Sequence, residues 1–307
     1  MKRFLKITTT QLARICGVSQ GTVDRALHNR DDINPKTRER ILAVAKEYDY
    51  LPNVQCANSE NSLLIGVVLF DLYNEFFSKL AMSLVRAAKL AGYSVIFQFS
   101  NKDKKSEISA LEYFDYIGVD GIILFSTADN NPEYENYLRS LKKPLILIGN
   151  QMFDLPFIGI DDTKAMYDIS KALSLRAPVG DMVYYAPALS YPHLHPTNAQ
   201  LLRQKGFLQA MQALGRTYRV VTTLEDIGNF GGIVCSTDYY ALQVLERLGY
   251  PKNVAIAGFD NLSLLKTLHT QILTVDYSTD SIAKQCIRYI LGKPYKKSIE
   301  YTLLYTE

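Results

Sequence analysis

Residues 17–30 read GVSQGTVDRALHNR: a glycine, a hydroxyl residue, then apolar side chains three and four positions apart. Ser19 can cap a helix in which Val23, Ala26 and Leu27 share one face. Before it, Thr9 or Thr10 can cap a helix through Gln11, Leu12, Ala13, Arg14 and Ile15, with Leu12 and Ile15 on one face and Gly17 as its end. Two helices about three residues apart with glycine at the bend predict a helix-turn-helix, an ordinary helical hairpin being the alternative. In a helix-turn-helix the second helix enters the major groove by its N-terminal turn. That geometry brings Gln20, Gly21 and Arg25 to base edges and Ser19 and Thr22 to phosphates. Further on, Asn34 caps and Pro35 opens a third helix whose stripe holds Thr37, Ile41, Leu42, Val44 and Ala45. Tyr48, Tyr50 and Leu51 are placed to cover the small core.

The charge distribution suits a polyanion partner at this end. Residues 1–54 hold ten basic and six acidic side chains, an excess of +4 in a chain of formal net charge +3, so the remainder sums to −1. At 307 residues, 48% of them hydrophobic, the chain is long enough for such a module and a larger body with buried cores. Cys16, Cys56, Cys235 and Cys286 lie far apart without a C-x-x-C pair, so they read as reduced thiols rather than a zinc site or disulfide framework. The start MKRFLKITTT has no apolar run of signal-peptide length, and no segment approaches ~18 consecutive apolar residues. A cytoplasmic chain without membrane insertion is expected.

From Leu63 onward the pattern changes. SLLIGVVLF, YSVIFQFS, GIILFS, PLILIG and FIGIDD are continuous β-branched runs, as strands buried on both faces of a parallel sheet should be. Between them lie helices such as FFSKLAMSLVRAAKLAG, where Leu80, Leu84, Ala87, Ala88 and Ala91 hold one face and Gly92 ends it. A second set follows: DMVYYA, a helix around NAQLLRQKGFLQAMQALG, YRVVTTL, GGIVCS, the helix YYALQVLERLG and NVAIAGFD. Alternation of strand and helix predicts two doubly wound α/β lobes with a cleft at the carboxyl ends of their strands.

The run from Thr8 to Asn53 resembles the N-terminal headpiece of the LacI/GalR family of bacterial transcriptional repressors almost position for position. It carries A-x-x-x-G-V-S-x-x-T-V-x-R, then I-x-P-x-T-R-x-R, then Y-x-P-N, in order and spacing. The resemblance implies that Gln20, Gly21 and Arg25 read bases and that Thr8, Ser19, Thr22, Asn29 and Asn53 meet the DNA backbone. The body is similar to the effector domain of the same family and to periplasmic sugar-binding proteins. NEFF at 74–77, GVDGIIL at 118–124, IDD at 160–162, R-x-x-G-F at 203–207, S-T-D at 236–238 and GFD at 258–260 carry that likeness.

What the resemblance implies is an α/β, two-lobed periplasmic-binding-protein-like body behind a small all-α helix-turn-helix domain. The headpiece takes residues 1–53, a linker 54–62, and the effector-binding and dimerisation body 63–307. Within the body the first lobe is expected at about 63–159 and 274–296 and the second at about 160–273 and 297–307. A homodimer, paired through the helix at 76–91 and the segment near 274–291, would read a roughly palindromic double-stranded operator. A sugar or sugar derivative would be the effector, bound between the lobes; no cofactor is expected.

A sugar has apolar CH faces and a ring of hydroxyls, so its site needs flat aromatics and rigid charged groups that offer paired hydrogen bonds. Phe76, Phe77, Arg203 and Asp238 are the leading candidates by resemblance, followed by Asp71, Phe125, Asn150, Asp161 and Asp260. Asp161 and Asp162 also read as the cap of the helix beginning at TKAMYDI, and Asp260 reads equally as a turn residue. His193 and His195 sit between prolines with no acid or cysteine cluster, so no metal site is expected.

Three departures from the family stand out. Asp24 replaces a common serine in the recognition helix, where a carboxylate repels phosphates but can accept from a cytosine amino group or orient Arg25 or Arg14. The linker VQCANSENS lacks the leucine that relatives wedge into the minor groove, so operator kinking is not to be assumed. Between Gly215 and Gly231 the chain is too short for the helix relatives insert there; Thr237 and Asp276 also depart from the usual residues. These changes leave open a same-fold regulator whose cleft answers to a non-sugar ligand or a protein partner. A sugar-binding protein without a DNA role is the remoter alternative. An enzyme is not expected, since no P-loop, G-x-G-x-x-G or G-x-S-x-G occurs.

Overall fold

The computed structural model describes residues 9–27, 33–48, 63–127, 129–188, 198–251, 253–267 and 271–306. The expectations for Thr8, Asn29, Asn53, Tyr50, Leu51, Cys56, the 54–62 linker, His193 and His195 fall outside the described residues. The chain divides into two compact units, Met1–Glu60 and Asn61–Glu307.

The first unit holds α1 (Thr9–Ile15), α2 (Gln20–Leu27) and α3 (Pro35–Glu47). Gly17 adopts φ +60°, the left-handed conformation that stops α1 at no steric cost. The Ser19 hydroxyl accepts the Thr22 N–H at 3.2 Å and so caps α2, while Asn34 does the same for α3 by accepting from Lys36 N–H at 3.0 Å. Leu12, Ala13, Cys16, Val23, Ala26, Ile41 and Ala45 form the buried core. Arg40 ties α3 to the turn by donating to the Cys16 carbonyl at 3.1 Å. Ile15, Leu42 and Tyr48, expected on buried faces, are instead 45%, 40% and 44% exposed. Three short helices offer only one narrow common face, and the smaller residues Ala13, Cys16 and Ala45 fill it.

In the second unit the first sheet is wholly parallel, with strand order β2-β1-β3-β4-β5. Its elements are β1 (Leu64–Leu69), α4 (Glu75–Leu90), β2 (Ser94–Phe99), α5 (Lys104–Ile117), β3 (Gly121–Leu124), α6 (Pro132–Ser140), β4 (Leu145–Ile148) and β5 (Phe157–Ile158). The chain then crosses to α7 (Asp162–Ser174), β6 (Met182–Tyr185), α8 (Ala199–Leu214), β7 (Tyr218–Val221), β8 (Gly232–Cys235), α9 (Asp238–Leu248), β9 (Ile256–Ala257) and β10 (Leu273–Tyr277). It ends with α10 (Thr279–Ile290) and β11 (Tyr301–Tyr305). The second sheet runs β11-β10-β9-β8-β6-β7, with β11 alone antiparallel.

The expectation that residues from 274 onward return to the first lobe needs a correction at its edge. β10 hydrogen-bonds to β9 and β11 and is a strand of the second sheet, so the return begins after Tyr277, with α10 packing on α4. The short β7–β8 connection carries only a 3₁₀ turn at Glu225–Ile227. Arg219 on β7 fastens it by donating to the carbonyls of Asp226, Ile227 and Asn229 at 3.0, 2.6 and 2.6 Å.

Glycine in R-x-x-G-F has a packing reason. A Cβ on Gly206 would lie 2.2 Å from the Thr163 carbonyl and 3.0 Å from Met166 Cβ, so only glycine lets α8 rest against the first turn of α7. That approach also sets Arg203, one turn earlier on α8, beside Asp162. Gly206→Ala should therefore lower stability by about 1–3 kcal/mol through overpacking. Urea unfolding of the full chain measures it, and an unchanged midpoint would mean that the helices separate freely.

Candidate functional site

The N-terminal turn of α2 gathers six of the expected DNA-facing residues, Ser19, Gln20, Gly21, Thr22, Asp24 and Arg25. Ser19, Gln20 and Gly21 are exposed and the other three partly so. Ser19 and Thr22 hydroxyls are 2.9 Å apart, and the Gln20 amide donates to the Thr10 hydroxyl, linking the starts of α1 and α2. A Cβ on Gly21 would meet nothing nearer than Ser19 Oγ at 3.9 Å, so this glycine is no packing requirement and leaves the helix surface low.

In the second unit, residues just beyond the carboxyl ends of the strands converge on a cavity of about 510 Å³. Phe70 and Asp71 follow β1, Phe125 and Thr127 follow β3, and Gly149 and Asn150 follow β4; from the other sheet come Thr237 after β8, Asp260 after β9 and Tyr277 ending β10. This is the crevice where open α/β sheets bind ligands, and its volume is in the range of small-molecule pockets. Phe76 and Phe77 enter it from the first turn of α4, which Asn74 caps by accepting from Phe76 N–H at 2.9 Å. One wall is aromatic: Phe125 meets Phe70 and Phe77 edge-on at 4.9 Å each, and Phe76 lies 5.7 Å from Tyr277.

A charged part of the lining is built on Arg203. It donates to the Asp162 carboxylate at 2.7 Å and to the Ser236 carbonyl at 2.8 Å, approaches Asp260 at 3.7 Å and stacks on Phe259 at 3.6 Å. Burial disfavours its charge, but Asp162 and Asp260 outweigh that and raise its pKa. Burial raises both aspartates against the pull of Arg203, Asp260 to about 6. Asp260 also accepts the Tyr277 hydroxyl at 2.8 Å and holds φ 102°, a left-handed backbone that costs a non-glycine residue strain.

Asp71, Phe76, Phe77, Phe125, Asn150, Arg203 and Asp260 thus come together in the cleft. Asp238 does not. It is fully buried behind the wall, accepting the Thr274 hydroxyl at 2.8 Å and Leu262 N–H at 3.0 Å, and burial pushes its carboxyl up to about 7. A Cβ on Gly258 would lie 2.1 Å from its Oδ1, so the glycine of GFD makes room for it. In S-T-D the residue that reaches the cleft is Thr237, the α9 cap, with Tyr239 and Tyr240 beyond it. Asp161 caps α7, accepting from Lys164 N–H at 2.9 Å, while its neighbour Asp162 turns inward.

Hydrogen bonds also cross between the lobes. Glu75 accepts Ser263 N–H at 2.9 Å, Lys79 donates to the Asn261 carbonyl at 3.0 Å, and Asn150 accepts Ala199 N–H at 3.0 Å. Asn150 in turn donates to the Ser126 carbonyl at 2.8 Å. Beneath that segment lies Glu107 on α5, fully buried, accepting Thr127 N–H at 2.7 Å, the Ser126 hydroxyl at 2.9 Å and the Tyr134 hydroxyl. Burial raises its carboxyl to about 7 despite those donors. Glu107 and Tyr277 were not singled out in the sequence; Glu75 entered only within NEFF, and Asp162 only beside Asp161 as part of a helix cap.

A helix-turn-helix unit and a two-lobed cleft define the class: a DNA-binding transcriptional regulator with a sugar-binding-type domain. The model of bacterial regulatory proteins of the lacI family matches residues 9–53. That of periplasmic binding proteins and the sugar-binding domain of the LacI family matches residues 62–229. The chain belongs to the LacI family. It is 26% identical to the HTH-type transcriptional regulator RegA of Clostridium saccharobutylicum, over 94% of this chain and 93% of that one. Among solved structures it is similar to the transcriptional regulator CelR in complex with cellobiose, with TM-score 0.63 and 18% identity over 97% of this chain and 98% of that one. It is also similar to the Cra dual regulator of Pseudomonas putida in complex with fructose 1-phosphate, with TM-score 0.67 and 18% identity over 80% and 100% of the two chains. The relatives regulate transcription, and this chain is a regulator rather than an enzyme. Among the described residues no helix is long and apolar enough to cross a membrane.

Proposed function

We propose that the protein is a cytoplasmic repressor that binds a roughly palindromic operator as a homodimer and answers to a sugar held in the cleft. The observation that carries the reading is that an aromatic cluster and the Arg203–Asp162–Asp260 cluster line one cavity, which matches the apolar faces and hydroxyl edges of a sugar. Gln20, Gly21 and Arg25 read bases and Ser19 and Thr22 meet phosphates; Thr8, Asn29 and Asn53 complete the backbone contacts. Asp24, beside Arg25, bends base choice away from that of relatives with serine there. Phe76, Phe77, Arg203, Asp260, Asp71, Phe125 and Asn150 hold the effector. Dimerisation through α4 is supported by Met82 and Leu90, which stand 56% and 91% exposed on it.

A ligand releases DNA by binding better to the lobe arrangement that spaces two headpieces wrongly. The test is operator selection from random duplex DNA, followed by titration of the selected site with and without sugars. Arg25→Ala should weaken the selected site by about 1–3 kcal/mol while changing binding to random DNA little. Equal losses on both would assign Arg25 to phosphate. The ligands named for CelR and Cra, cellobiose and fructose 1-phosphate, mark two chemistries for the effector, one neutral and one anionic.

A further inference from the structure

We infer that the effector is a sugar carrying no phosphate or carboxylate, and that the acids around Arg203 are what bar anionic ligands from the cleft. The inference rests on the reading of the cleft as the effector site. Phosphate recognition needs cationic donors or helix N-termini free to face the anion. Among the described lining residues there are three acids, Asp71, Asp162 and Asp260, against two bases, Lys102 and Arg203, so the site is net negative. The charge of Arg203 is already faced by carboxylates: Nε donates to Asp162 at 2.7 Å, one Nη donates to the Ser236 carbonyl at 2.8 Å, and the other Nη stands 3.7 Å from Asp260.

The helix ends give an independent argument. Four helices begin at the cleft, and each N-terminus is already supplied with acceptors. Asn74 caps α4, and Glu75 stands in its first turn. Asp161 caps α7 and Asp162 follows; Thr237 caps α9 and Asp238 follows. At α8 the Asn198 side chain accepts Gln200 N–H at 3.0 Å and Asn150 accepts Ala199 N–H at 3.0 Å. A phosphate would displace these acceptors and stand beside carboxylates. Hydroxyls meet no such obstacle, since Asp162 and Asp260 each retain lone pairs to accept them.

The test is thermal unfolding of the full chain against matched pairs at constant ionic strength: glucose and glucose 6-phosphate, fructose and fructose 1-phosphate, ribose and ribose 5-phosphate. Inorganic phosphate against chloride is the ligand-independent arm. In any pair that shifts the midpoint, the unphosphorylated member should bind at least tenfold more tightly, and phosphate should act no differently from chloride. Asp260→Asn should raise the response to the phosphate ester or to inorganic phosphate; Asp71→Asn, nearer the surface, serves if that variant does not fold. A wild-type protein that prefers the ester, or that phosphate stabilises specifically, overturns the inference. So does a pair of folded variants that gain no anion response. Silence of every sugar with no phosphate effect would strike instead at the cleft as a sugar site, leaving anion exclusion supported.

Discussion

Arg203→Ala should cost the full chain about 3–5 kcal/mol of stability at pH 8, because it strands two buried carboxylates without the guanidinium that opposes them both. Asp162 and Asp260 are 6% exposed at their side chains, and burial already raises both pKa values with the guanidinium in place. Without it the folded-state values rise further above the unfolded ones. The folded chain then binds more protons than the unfolded chain, so the penalty is small at acid pH and grows as pH rises through the folded values. Urea unfolding at pH 5 and pH 8 should show most of the loss at pH 8 only. Arg203→Met combined with Asp162→Asn and Asp260→Asn should recover much of it, since the stranded charges go with the arginine. A loss equal at both pH values would show that water reaches the aspartates, and the cleft wall would then owe its order to packing alone.

Such a cluster is half legible in a sequence. R-x-x-G-F points at Arg203, and the strand-ending residues Phe70, Phe125 and Asn150 follow from reading apolar runs, because a parallel sheet delivers whatever follows each strand to one edge. The partner of Arg203 is harder to find. Asp161 and Asp162 are adjacent acids at a helix start, and which one caps the helix and which one turns inward depends on the approach of α8 at Gly206, a contact between elements about forty residues apart. Asp238 misleads for the same reason. An acid after a cap looks like a ligand until Thr274 and Leu262, brought in by β10 and the segment after β9, are seen to satisfy it. Tyr277 was hidden by the lobe boundary: a strand read as the start of the return to the first lobe belongs to the second sheet, and its last residue faces the cleft. Local pattern carries the elements and their ends; the pairings of buried charge are set by packing.

Glu107 shows what that packing can do to stability. Its carboxyl is raised from an ordinary value of 4.5 to about 7, burial outweighing the donors from Tyr134, Thr127 and Ser126. A folded value above the unfolded one means that this carboxyl's contribution to stability is highest below about pH 4.5 and falls as pH rises to about 7, by about 3 kcal/mol in total, then stays level. Glu107→Gln keeps the shape, can accept from Thr127 N–H through its amide oxygen and can donate through its amide nitrogen to the hydroxyl oxygens of Ser126 and Tyr134. Its stability relative to wild type should therefore climb by about 3 kcal/mol between pH 4.5 and pH 8, as measured by urea unfolding at each pH. Asp162, Asp238 and Asp260 titrate in both proteins and cancel from the difference. Parallel pH curves would mean that Glu107 stays ionised without penalty, its three donors sufficing. A divergence would mean instead that the segment Ser126–Thr127, and through it the cleft residue Asn150, is held by a carboxyl that gains its charge at a cost near neutral pH.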